Sequence, residues 1–135
     1  MRVTSTIAQG IAVMVFALVA GVLPAAAQGM TPMRGEIKSF TDRFAVRVFP
    51  MNPYGHRVVV EVKVYDETFA PVAAQVSPAS AVLGPDDNRS VMVVIPFDGK
   101  TERRVRICTE AVPFKNQNTR VRAQVCGRFL GRRVG

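Results

Sequence analysis

The sequence predicts an all-β chain, an antiparallel sandwich of about seven short strands. Two observations predict it. Between residues 34 and 130 apolar residues recur with a period of two rather than 3.6, and clusters of turn residues interrupt that alternation at short intervals. No amphipathic stretch of helical length follows residue 27, and no internal repeat or low-complexity segment is present. A length of 135 residues allows one domain, and 48% apolar against 21% charged residues excludes a disordered polycation.

Residues 1–27 read as an export signal rather than as part of the fold. Arg2 supplies a positive start, Ile7 to Leu23 is nearly continuous apolar sequence, and Pro24 precedes Ala25-Ala26-Ala27. Small residues three and one before a cut suit signal peptidase, so cleavage is expected after Ala27 and a periplasmic location follows. The alternative is an inner-membrane anchor through residues 7–23, which approach the lower limit of a spanning helix. Residues 28–33 are expected to form a flexible mature N-terminus, residues 34–130 the sandwich, and residues 131–135 a frayed basic tail.

The strands follow in order. Phe44, Val46 and Val48 form one run. Val58, Val60, Val62 and Val64 alternate with Val59, Glu61, Lys63 and Tyr65; Val91, Val93, Ile95 and Phe97 alternate with Ser90, Met92, Val94 and Pro96. Val105 and Ile107 alternate with Arg104 and Arg106, and Val121, Ala123 and Val125 with Arg120, Arg122 and Gln124. Turn signals separate them at Met51–Gly55, Gly84–Asn88, Asp98–Lys100 and Lys115–Asn118.

The last two runs fit a hairpin centred on Gln117, which sets Cys108 opposite Cys126. Both then stand on the face that carries Arg104, Arg106, Arg120, Arg122 and Arg128, with Val105, Ile107, Val121, Ala123 and Val125 on the core face. A cross-strand disulfide needs Cα atoms roughly 5.5 Å apart with both Cβ atoms on one side, and export supplies the oxidising compartment. Closing this loop is expected to stabilise by roughly 3 kcal/mol. The same pairing sets Arg106 opposite Arg128, an unfavourable juxtaposition that an anion or solvent would relieve.

The net charge of +8 lies where that hairpin lies. Residues 100–135 hold ten Lys and Arg against two Asp and Glu, whereas residues 28–99 are nearly balanced. Converging arginines point to a carboxylate, phosphate or acidic partner; a solvated face that discourages edge-to-edge aggregation is the alternative. Export and the scarcity of aromatics, 7% with no Trp, argue against nucleic acid.

Catalysis finds little support. His56 is the only histidine and sits in a turn, so neither a metal centre nor acid–base chemistry is built around it. Ser77 and Ser80 lack a base in any recognisable motif, and Asp86-Asp87-Asn88 reads as a turn rather than a calcium loop. Glu36, Asp42, Glu61 and Glu102 form no pair suited to proton transfer. No enzyme activity, cofactor or metal is expected.

Several segments resemble the periplasmic pilus and fimbrial assembly chaperones, the PapD-like family. Val76-Ser77-Pro78-Ala79-Ser80-Ala81-Val82-Leu83-Gly84-Pro85 is similar to that family's "SP…L.P" segment. Ser90–Val94 and Arg104–Ile107 resemble the strands that follow it, and Val48-Phe49-Pro50-Met51-Asn52-Pro53 resembles the "l.NP" that ends its second strand. The resemblance spans residues 34–128. It implies a seven-stranded immunoglobulin-like sandwich, here the N-terminal domain of such a chaperone, whose last strand completes an exported subunit, a pilin for example, by strand addition. The strand matching that donor is Thr119 to Phe129, with Val121, Ala123, Val125 and Phe129 as its apolar side chains. The family binds a terminal carboxylate with basic residues on its first and last strands; Arg34 and Arg122 are the best matches, followed by Arg120 and Arg128. One branch also carries a disulfide between its last two strands, as Cys108 and Cys126 would.

The sequence departs from that pattern in three ways. Family members carry a second sandwich domain after the last strand, so carboxylate binding between two domains is not expected to transfer as a whole. Ala123 is small for a donor and Gly127 interrupts the alternation. The segment Phe114 to Thr119 is short and polar. An alternative function is a structural envelope protein whose arginine face binds an anionic surface or acidic partner, and an unpaired last strand could instead be satisfied by a second copy of the chain.

Overall fold

The structure, a computed structural model, describes residues 29–112 and 123–135. The expected export signal, the turn of the last hairpin, and Arg120, Val121 and Arg122 lie outside the described residues. Nine strands are described: β1 (Gly29–Thr31), β2 (Arg34–Ser39), β3 (Arg43–Met51), β4 (Val58–Tyr65), β5 (Gln75–Ser77), β6 (Ser80–Leu83), β7 (Val91–Pro96), β8 (Glu102–Val112) and β9 (Gln124–Arg133). They form two sheets, in the order β1-β3-β7-β5 and β2-β9-β8-β4-β6. This is the immunoglobulin-like sandwich expected from the sequence.

The strand number exceeds seven because two extended segments change sheets at a proline. β1 pairs with β3 in one sheet, and after Pro32 the chain continues as β2 against β9 in the other. β5 pairs with β7, and after Pro78 the chain continues as β6 against β4. Proline has no N–H to give a ladder, so each proline sits where one ladder stops and the next begins.

Three expectations are corrected here. Gly29–Thr31 is not a flexible end but a strand, with Met30 buried in the core because its side chain fills the space beneath β9. Residues 131–133 are not a frayed tail but the end of β9, held by β2 on one side and β8 on the other. The sandwich is also not wholly antiparallel, since β2 runs parallel to β9.

Alternation decides the core. Phe44, Val46 and Val48 of β3 and Val91, Val93 and Ile95 of β7 face Val62, Val64, Val105, Ile107 and Phe129 of the other sheet, closed at one end by Phe97. Phe44 and Phe97 pack ring against ring with centroids 4.9 Å apart. Each fully buried side chain of this size stabilises by about 1.5–3 kcal/mol, so the core of one alternate set suffices to hold the sheets together.

Asn52, in the Asn-Pro pair at the end of β3, is buried (1% exposed) and serves as a polar tie between the sheets. Its Nδ2 donates to the carbonyls of His56, Leu83 and Gly84 at 2.8, 3.0 and 2.9 Å, while its Oδ1 accepts from Tyr54 N at 2.9 Å. Its own N–H donates to Asp87 O at 2.9 Å. Asn52→Ala removes the two N–H groups that these carbonyls share, with Gly84 O keeping only Asp87 N, and is expected to lower unfolding free energy by about 2–3 kcal/mol in urea denaturation. Asn52→Asp should cost at least as much, since a carboxylate cannot donate to them.

Candidate functional site

The register of the second sheet brings the arginines together. Cys108 lies opposite Cys126 and Arg106 opposite Arg128, as the hairpin centred on Gln117 requires. The two cysteines form a disulfide, and their Cα atoms are 4.0 Å apart, nearer than the typical bridge. That short spacing belongs to the non-hydrogen-bonded pairs of an antiparallel ladder, which bring Cα atoms closer than hydrogen-bonded pairs do. Ala111 N donates to Ala123 O, so odd-numbered residues of β9 bond to β8. Even-numbered residues turn their backbone groups to the opposite edge, as Arg128 does in donating to Met33 O at 2.9 Å.

That opposite edge is only partly covered. β2 pairs with β9 from Arg128 to Arg133. Over Gln124–Gly127, no strand among the described residues lies on the side away from β8. Gly127 marks the junction. A Cβ there would lie 2.8 Å from the Phe129 ring, 3.0 Å from Met30 Cε and 3.0 Å from the Met33 carbonyl oxygen, and the last is backbone that cannot turn away. The glycine that breaks the alternation in the sequence is thus where the chain before β2 presses against β9.

At this junction a row of side chains crosses four strands on the outer face: Tyr65 of β4, Arg106 of β8, Arg128 of β9 and Arg34 of β2. The three arginines border an open groove of about 550 Å³, which Glu36, Glu67 and Arg104 also line. The neighbouring charges are taken. Arg104 Nε lies 3.8 Å from Glu67, and Arg132 Nε and Nη1 lie 3.0 and 3.6 Å from Glu36 and Glu102. Among the described residues, Arg34, Arg106 and Arg128 make no ion pair. Three uncompensated guanidinium groups therefore share one row, a geometry that favours an anion.

The expected donor side chains divide. Ala123, just before β9, and Val125, in its open part, are half-buried. Phe129 is not available to a partner: it is 3% exposed and packs within this chain's own core, because by its position in β9 the strand lies over the middle of the sandwich.

A second cluster on the outer face was not foreseen. Glu110, with its side chain 10% exposed, accepts from Lys63 Nζ at 3.2 Å, Tyr65 Oη at 3.1 Å and Gln124 Nε2 at 2.9 Å. Burial pushes its carboxyl up, but the bonds from Lys63, Tyr65 and Gln124 outweigh burial and hold it below the usual carboxylate range. The bond to Glu110 raises Lys63 in turn, and burial followed by that bond raises Tyr65. Alternation already puts Glu110, Lys63 and Tyr65 outward; only the β4–β8 register, which a sequence does not display, shows that they meet.

No family profile matches the chain, and no curated protein is similar to it in sequence. Solved structures do match. The E. coli chaperone DraB superposes with a TM-score of 0.66 at 16% identity, over 79% of this chain and 55% of DraB. The SafB chaperone of Salmonella enterica, solved in complex with the SafA pilin, gives 0.64 at 16% identity, over 79% of this chain and 54% of SafB. A PapD-like domain of human CEP192 gives 0.58 at 13% identity, over 83% and 88%. The chain thus has the PapD-like immunoglobulin fold and spans little more than half the length of these chaperones. The CEP192 domain carries that fold too, so function has to be argued from the site.

Glu110 gives a pH dependence with a definite sign. Its native pKa is depressed, so its stabilisation is present above the ordinary Glu value of about 4.3 and is lost as pH falls through the native value. The urea midpoints of wild type and Glu110→Gln should differ most at neutral pH and converge in acid; a constant difference would contradict the assignment. Cys108→Ala with Cys126→Ala should lower the unfolding free energy by roughly 3 kcal/mol.

Proposed function

We propose that this chain is a non-enzymatic chaperone-like binding module that presents the start of β9 to an exported protein, a pilus or other surface-assembly subunit, by strand addition. The observation that carries the reading is a sheet edge at Gln124–Gly127 that is open among the described residues and ends beside three arginines that make no ion pair among them. An unpaired edge offers N–H and C=O groups in register for another strand, and alternate side chains, Ala123 and Val125 here with Val121 before them, supply selectivity. Arg34 and Arg128, partners across β2 and β9, would hold a carboxylate of the incoming chain. Arg120 and Arg122 remain part of the proposed basic surface. The expected export signal puts this activity in the periplasm.

Other functions on the same fold are less well supported. An anionic surface would need a continuous unpaired basic face, whereas Arg104 and Arg132 are already neutralised by Glu36, Glu67 and Glu102. The likeness to DraB and SafB supports the chaperone reading only as far as the shared fold carries it.

Val125→Asp should abolish recovery of an exported partner from a periplasmic extract without changing the far-ultraviolet circular dichroism. The amides of Gln124 and Cys126 should exchange fast in the free protein and become protected on partner binding. Recovery unchanged by Val125→Asp would overturn strand addition. Loss of binding between 50 and 500 mM salt with those amides unprotected would favour the anionic-surface reading.

A further inference from the structure

Arg106 differs from the other two unpaired arginines. Its Nε is buried and, among the described residues, has no hydrogen-bond partner, whereas Arg34 and Arg128 are exposed. A buried guanidinium N–H without an acceptor is costly, and the great majority of such groups in folded proteins are satisfied.

Its position is imposed by a loop. Phe69 lies in the turn after β4 and has a left-handed backbone (φ 62°), which bulky residues rarely adopt. Asp66 holds the turn: its Oδ1 accepts from Thr68 N at 2.8 Å, Thr68 Oγ1 at 2.7 Å and Ala70 N at 2.9 Å, and its carbonyl accepts from Phe69 N at 3.1 Å. The strained residue gains little burial in return, since Phe69 is 50% exposed. What the conformation achieves is contact. The Arg106 Cζ stands 4.7 Å from the Phe69 ring centroid, within the range of a cation–π interaction. Tyr65, the register partner of Arg106, lies 6.2 Å from the same ring.

We propose that Arg106 is the third binding group of the groove, that Phe69 is its positioning residue, and that the ligand is a single carboxylate. The proposal deepens the reading of Arg34 and Arg128 as a carboxylate-binding pair and rests on it. The ring covers one face of the guanidinium, and Arg106 lines the groove together with Arg128. One negative charge is favoured over a polyanion because Glu36 and Glu67, beyond the arginine row, already pair with Arg132 and Arg104 and leave no further unpaired cation along the described lining for a second charge. A chain-terminal carboxylate and an acidic side chain share this chemistry.

The test is a titration of the whole protein followed through the arginine Nε–H resonances. The probes are acetyl-tetraalanine with a free terminus, the same peptide amidated, and an amidated acetyl peptide carrying one Glu. The Arg106 resonance should shift with the free acid or with the Glu peptide, whichever source the groove takes, and not with the neutral amide. Arg106→Gln should weaken that binding by roughly tenfold or more. Phe69→Leu should weaken it by about two- to fivefold and Phe69→Tyr should restore it, which a merely structural loop residue would not require. If Arg34 and Arg128 respond while Arg106 does not, or if Phe69→Leu binds as wild type, the proposal is overturned and the arginine pair stands. If none of the three responds, the carboxylate pair fails with it.

Discussion

The pairing of Cys108 with Cys126 fixes the register between β8 and β9, and the rest of the molecule depends on that register. It puts Val105, Ile107 and Phe129 inside and Arg104, Arg106 and Arg128 outside. A slip of one residue would exchange those sets and turn three guanidinium groups into the core. Desolvating even one unpaired charge costs several kcal/mol, so the hydrophobic alternation and the disulfide enforce the same answer by independent means. Placing Arg106 against Arg128 is a small unfavourable consequence of a register that the core demands.

That register was legible because a hairpin is a local problem. The turn region, the parity of the valines and two cysteines sufficed to derive it. Features that rest on distant segments were not legible. The sequence around Pro32 and Pro78 reads as continuous extended chain, and nothing in its alternation says that β1 and β2, or β5 and β6, belong to different sheets. The parallel pairing of β2 with β9 is of the same kind, as is the meeting of Glu110 with Lys63 and Tyr65 across β4 and β8. Phe129 shows a different limit. Parity gives it the same face as Val121, Ala123 and Val125, but parity cannot say where along β9 the core ends. Position over the sandwich decides that, and it commits Phe129 to the core while Ala123 and Val125 lie only half-buried.

Of the four arginines matched to a carboxylate site by resemblance, Arg34 and Arg128 can be placed, and they are direct partners in the β2–β9 ladder. The neighbouring ion pairs sharpen the site. By neutralising Arg104 and Arg132, the glutamates reduce a broad basic face to one row, which turns a diffuse positive charge into a localised one.

β9 is divided by the start of β2, and the division accounts for both proposed functions of the strand. From Arg128 onward it is interior to a sheet, with ladders on both sides. Before Gly127 it has, among the described residues, a ladder on one side only. Met33 O takes the amide of Arg128 and closes on Gly127 so tightly that no other residue fits there. A strand added along Gln124–Cys126 would therefore meet Met33 as a physical stop, and its register would be set by where it meets that stop. Arg34 follows Met33 directly, and Arg128 follows Gly127 directly. The groups suited to a carboxylate thus stand at the point where an incoming chain must end or turn aside, so one backbone contact both opens the edge and aligns the charges with its end.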